Sequence, residues 1–159
     1  MNLLSPSTHL LLVLLMPLVG AGIVWLVSSR GLKAVRTSAA TTAVLRLVAT
    51  GLLILRYLMS DEALSNQVFA MASLPWLTGG MFNIHLSIGL DGLSLWLFGL
   101  SALLSLTAIF VSWEAVTERA AGFYMLLLVL EAAMLGVFVA RDIILFYVFF
   151  EFTLVPLFF

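Results

Sequence analysis

Three charged residues stand inside stretches that otherwise read as hydrocarbon. Glu131 interrupts "LLLVLEAAMLGVFV", Glu151 interrupts "LFYVFFEFTLVPLFF", and Arg46 interrupts "TTAVLRLVATGLL". A charged Asp at the centre of a spanning helix costs roughly 2.5 to 3.5 kcal/mol on insertion scales, and Glu is expected to be of similar order. Such a cost needs an offset. One offset is protonation: hydrocarbon disfavours the anion of any carboxyl group, which then keeps its proton until a cation or a chain of water approaches. That is the behaviour of a proton relay, and it marks Glu131 and Glu151 as candidates for proton transfer. The competing offset is a hydrogen bond from a neutral acid to a neighbouring helix, which holds a bundle together without moving protons.

Two further residues are candidates for a supporting role. Pro156 has no backbone N–H, so the bond to the carbonyl of Phe152 is lost and a loosened turn is expected just inward of Glu151. Arg46 lies about 13 Å from the inner end of its helix, at about 1.5 Å per residue, close to the level of the two acids. Pairing with Glu131, pairing with another chain and facing a polar cavity are all open to it. Arg56, nearer the outer end, is expected to snorkel to the interface. Asp91 in "LDGLSL" and Asp142 after Arg141 are expected to cap the helices that follow them. Ser101 with Ser105, and Ala132 with Gly136, have the small-xxx-small spacing that lets helices approach closely. His85 has no second His, Cys or acid at metal spacing, so it is expected to be a surface residue and no metal site is expected.

The elements that must position these residues follow from composition. Of 159 residues, 64% are hydrophobic and 9% charged, which is the balance of a membrane protein. Seven basic against eight acidic residues give no basic footprint for nucleic acid. Cysteine is absent, which excludes disulfides, thiolate-held iron-sulfur clusters and c-type haem attachment within the chain. No nucleophile elbow, paired-His motif or phosphate loop suggests an active site of its own. No cofactor is expected in this chain.

Five stretches are long enough to cross about 30 Å of hydrocarbon, giving an all-α polytopic transmembrane bundle in one membrane domain. They are read as residues 10–27, 38–59, 93–111, 123–140 and 143–159. The first has no basic residue before its apolar run and no clear cleavage site after it, so it is read as retained. Arg30, Lys33 and Arg36 follow it, which places that end in the cytoplasm and the N-terminus outside. Asp61 and Glu62 then lie in an outer loop. There, Phe82, Ile84, Leu86, Ile88 and Leu90 alternate with Asn83, His85, Ser87 and Gly89, a period of two that predicts a hairpin or edge strand. The fourth and fifth helices are joined by a turn at Arg141 and Asp142, so they should be antiparallel neighbours. Glu131 and Glu151 then share a depth of roughly 15 Å at about 1.5 Å per residue.

"LDGLSL", followed by the pattern "GVF...D..LFY.F.E..L.P" within residues 136–156, resembles the subunit M family of bacterial NADH-quinone oxidoreductase. That family is the counterpart of chain 4 in mitochondrial complex I. Cation/proton antiporters of the Mrp type and membrane subunits of energy-converting hydrogenases are related to it. The resemblance implies an antiporter-like, proton-translocating membrane subunit with a proton-transfer glutamate at Glu151 and at most a supporting role for Glu131. It implies other membrane subunits as partners, with NADH and quinone handled elsewhere in the complex, in a bacterial inner membrane and its lipid. The family pairs that glutamate with a lysine on a later helix, which this sequence does not reach. A helix ending in "PLFF" without flanking polar residues is accordingly expected to belong to a truncated product or gene fragment. An antiporter without redox partners and a purely structural membrane subunit are the rival readings.

Overall fold

The computed structural model describes residues 5–60, 68–79 and 82–159, with the side chains of residues 74–85 outside that description. Asp61 and Glu62 lie outside the described residues.

Helix α1, Pro6–Val27, opens with Pro at its first position and with Ser5 Oγ accepting the Thr8 N–H. Both devices suit a helix start, because proline lacks an N–H that would be unpaired there anyway. A short 3-10 turn, Ser28–Arg30, leads to Gly31, whose φ of 98° is a left-handed conformation open to glycine. Helix α2 follows as Leu32–Leu58. Strands β1, Phe69–Gly79, and β2, Phe82–Leu90, form an antiparallel hairpin. Helices α3, Gly92–Ala115, α4, Ala120–Val139, and α5, Ile143–Phe158, complete the chain.

Helix α2 starts at Leu32 rather than Ser38. Hydropathy marks where a helix is greasy, whereas Lys33 and Arg36 are good helix formers that carry it on into the interface. Among the described residues, four helices are long and apolar enough to cross a membrane, and the chain is a multi-pass membrane protein. The fifth expected span is shorter: α5 has 16 residues.

The alternating segment forms β2, and its partner strand is the preceding stretch that contains Pro75. Phe69 pairs with Leu90 and Gly79 with Phe82, with irregularities between Phe69 and Ala72 and between Pro75 and Leu77. Proline cannot donate to a ladder, so an irregularity beside it in a two-stranded ribbon is where it fits. Ala70, at φ 56°, absorbs the first irregularity. The hairpin is anchored by Phe69 and Leu90, both buried, with Phe69 edge-on to Tyr57 of α2 at 5.5 Å.

Helix α4 is the centre of the bundle and packs against α1, α2, α3 and α5. Close approach is achieved by small residues. A Cβ on Gly20 would strike Thr42, which lets α1 meet α2, and a Cβ on Gly136 would overlap the Phe149 ring that joins α5 to α4. The buried apolar residues fall into two clusters. One, toward the hairpin, includes Leu10, Leu53, Tyr57, Leu90, Phe98 and Leu135. The other, toward the opposite end, includes Val24, Ala43, Ile109, Tyr124 and Leu128.

Candidate functional site

Between the two apolar clusters lies a polar layer. On α2 it falls between Ala43 and Leu53, on α3 between Phe98 and Ile109, and on α4 between Leu128 and Leu135. Arg46, Thr50, Ser101 and Glu131 occupy those intervals, and all four are buried.

Arg46 and Glu131 form an ion pair through Arg46 Nη1 and Glu131 Oε1, with side-chain exposures of 0% and 2%. The second guanidinium arm, Nη2, donates to the carbonyl of Ala102 at 2.8 Å. One arginine of α2 thus ties together α3 and α4. The pair also offsets two desolvation costs with one contact, the usual condition for keeping charges inside a protein. Glu131 Oε2, Arg46 Nε and the Thr50 hydroxyl have no hydrogen-bond partner among the described residues. Ser105 Oγ, one turn after Ser101, is likewise buried and unpartnered. A cleft of about 190 Å³ between α3 and α4 is lined by Ser101, Ser105, Leu104, Leu130, Glu131 and Met134, among others.

Glu151 is placed differently. It and Glu131 lie about 12 Å along their helices from the hairpin end, at about 1.5 Å per residue. Equal depth does not bring them together. The less exposed positions of α5 include Leu145, Phe149, Thr153 and Pro156, a stripe at helical spacing that faces α4. Glu151 is two residues beyond Phe149, roughly 200° around the helix at about 100° per residue, and is exposed. The phenol of Tyr147, one turn earlier on the same outward face, interacts with its carboxylate. No residue of α5 is buried. Pro156 stands in the last turn, where the helix continues to Phe158.

The caps hold the hairpin end in register. Asp91 accepts the Ser94 N–H at 2.7 Å and Asp142 accepts the Ile144 N–H at 3.0 Å. The Ser94 backbone N–H is the main cause that holds the Asp91 carboxyl below the usual carboxylate range; Arg141 adds to it and partial burial opposes it. Arg141 reaches Asp91 at 3.2 Å while its backbone N–H donates to Ser87 at 2.9 Å. Together they clip the α4–α5 turn to β2 and to the start of α3. Arg56 Nη1 lies 3.4 Å from His9 Nδ1 of α1. At the other end Arg36 Nη2 donates to the Val116 carbonyl at 3.0 Å, fixing α2 to the α3–α4 connection. His85 lies opposite Pro75 in the hairpin register, and its side chain lies outside the described residues.

Sequence reasoning missed Thr50. Thr50 was within reach, because it follows Arg46 by four residues and shares its helix face. The Ala102 carbonyl carried no signal at all, since any residue has one.

No family model matches the chain. Among curated relatives, the F(420)H(2) dehydrogenase subunit M of Methanosarcina mazei is 38% identical over 113 residues, 71% of this chain and 22% of that protein. The NADH-quinone oxidoreductase subunit M of Rhodobacter capsulatus is 34% identical over 157 residues, 99% of this chain and 28% of that protein. The same subunit of Escherichia coli K12 is 32% identical over 148 residues, 92% of this chain and 29% of that protein. A chain of the membrane-bound sulfane sulfur reductase, an archaeal respiratory membrane complex, superposes with a TM-score of 0.61 at 20% identity. That match covers 93% of this chain and 22% of the other, and it is a likeness of fold. The chain spans 22 to 29% of the length of these relatives and is similar to part of the NADH-quinone oxidoreductase subunit M and chain 4 proteins.

Proposed function

We propose that this chain serves in a proton-translocating, antiporter-like membrane subunit of a respiratory NADH-quinone oxidoreductase. Its homology to subunit M over nearly its whole length carries the reading. In it, Glu151 accepts and yields the proton. Its outward position on α5, with Tyr147 beside it, supports that role, because a carboxyl facing away from its own bundle is free to meet a cationic group on a neighbouring helix. Redox energy from other subunits changes the charge near Glu151, which shifts its affinity for a proton and moves that proton along a hydrated path. Glu131, clamped by Arg46, supports the bundle at the same depth. NADH and quinone are handled by partner subunits, and the redox chemistry is theirs. The subunit sits in a bacterial inner (plasma) membrane with its N-terminus outside, because Arg30, Lys33 and Arg36 cluster at the end away from the hairpin.

Glu151→Gln in the complete oxidoreductase, assayed for NADH-driven proton pumping in vesicles, is expected to abolish most pumping while the complex still assembles. Unchanged pumping removes Glu151 from the mechanism. The 38% identity to an F(420)H(2) dehydrogenase subunit favours a second reading, in which the membrane part is the same and the electron donor differs. Proton pumping that F(420)H(2) drives and NADH does not would select it. Sodium-for-proton exchange without any donor would instead select a stand-alone antiporter.

A further inference from the structure

We propose that the groove between the start of α4 and the end of α5 is a binding site for one phosphatidylethanolamine molecule. Glu118 and Arg119 hold its headgroup, and an acyl chain lies along α4. The inference needs only the membrane-spanning fold and is independent of any role for Glu151.

Three observations carry it. The first is shape. At the end of the bundle away from the hairpin, a groove of about 600 Å³ opens between the two helices. One side of it is the stripe Gly122, Leu126 and Leu130, four residues apart and so on one face of α4. Pro156 and Phe159 line the other side. From Arg119 to Leu130 it runs about 16 Å at about 1.5 Å per residue, roughly half of a hydrocarbon core of about 30 Å. That is the depth of a single leaflet.

The second is polarity. The groove is greasy along α4 and charged at its interfacial end, where Glu118 and Arg119 line it and are exposed. Among the described residues neither side chain has an ion-pair or hydrogen-bond partner, and they do not pair with each other. Val116 lines the same end, and its carbonyl is held by Arg36 Nη2 at 3.0 Å, which fixes the rim. The third is room. A Cβ on Gly122 would meet nothing within 4 Å, so the missing side chain leaves open the space beside α4 that a run of methylenes fills.

Charge complementarity selects the occupant. A lone arginine would favour an anionic phospholipid, but the Glu118 carboxylate beside it repels net negative charge. A phosphate and an ammonium on one headgroup answer both residues. The primary ammonium of ethanolamine donates hydrogen bonds to a carboxylate as a lysine does, whereas a methylated choline has no N–H to give. Phosphatidylglycerol and phosphatidylcholine therefore each satisfy only half of the pair. Lipid that merely coats the exposed leucines elsewhere meets no such pair of charges and shows no headgroup preference.

Native mass spectrometry of the full chain, released from bilayers of equal phosphatidylethanolamine, phosphatidylglycerol and phosphatidylcholine, tests this. One phosphatidylethanolamine is expected to stay with each chain, several-fold in preference to either other lipid. Gly122→Leu fills the groove from an open position with a better helix former, so the fold is kept and retention should fall to background. Glu118→Lys leaves two positive charges at the rim and should shift the preference to phosphatidylglycerol. Equal retention of the three lipids, or retention unchanged in Gly122→Leu, overturns the proposal. So does a dimer that Gly122→Leu dissociates, which would give the groove to a second copy, or absence of the lipid from the complete oxidoreductase, which would give it to other protein residues. None of these failures touches the pumping test of Glu151.

Discussion

Arg46 and Glu131 are each tolerable in the bundle because of the other. Removing one partner leaves a charge in hydrocarbon, which in buried pairs costs about 3 to 5 kcal/mol. Glu131→Gln and Arg46→Met are each expected to destabilise the bundle by about that amount, measured by unfolding in detergent. The double replacement Arg46→Met with Glu131→Leu should recover most of the loss, since apolar residues of similar volume often substitute for a buried pair without cost. Equal losses in the single and double variants would mean that the two residues are not coupled. Asp91 gives a second test at this scale, outside the hydrocarbon. Its carboxyl is held below the usual range in the folded state, so the unfolded chain binds the proton more readily. The stabilisation is complete above about pH 3.9, the ordinary Asp value, and is lost as pH falls through the lower folded value. Acid unfolding curves of the unaltered chain and Asp91→Asn should therefore differ at neutral pH and converge in that acidic window.

At the scale of elements, α4 is the hub and α5 hangs from it by one apolar stripe. The Gly136 notch receives the Phe149 ring, with no room for a Cβ between them. Gly136→Leu overpacks it, which typically costs about 1 to 3 kcal/mol. Faster amide exchange across Ile143–Phe158, with α1 and α2 unchanged, is the expected result. Uniform destabilisation of all helices would show instead that α5 is no separate unit. The clip of Arg141 onto Asp91 and Ser87 should act in the same direction, because it anchors the start of α5 to the hairpin. Arg141→Ala is expected to loosen the α4–α5 turn by a few tenths to about 1 kcal/mol, the range of a partly exposed pair.

At the scale of the molecule, the greasy runs announced the helices, and alternation announced β2. What one sequence left open was rotation. Periodicity placed Glu131 and Glu151 at one depth, yet whether two side chains meet depends on which helix packs where, and the Phe149 stripe turns Glu151 away from α4. Arg46 was legible as a charge at the right level, and tertiary packing selected Glu131 among its possible partners. The partner strand of β2 was hidden because Pro75 reads as a strand breaker, which an edge strand tolerates. The resulting account divides labour between two acids, one locked inside the bundle and one presented on its flank. Infrared difference spectroscopy on the working oxidoreductase tests that division most directly. The account predicts a carboxyl stretching band that changes during turnover, shifts in D₂O and disappears in Glu151→Gln. A difference spectrum that is the same with and without Glu151 would contradict it.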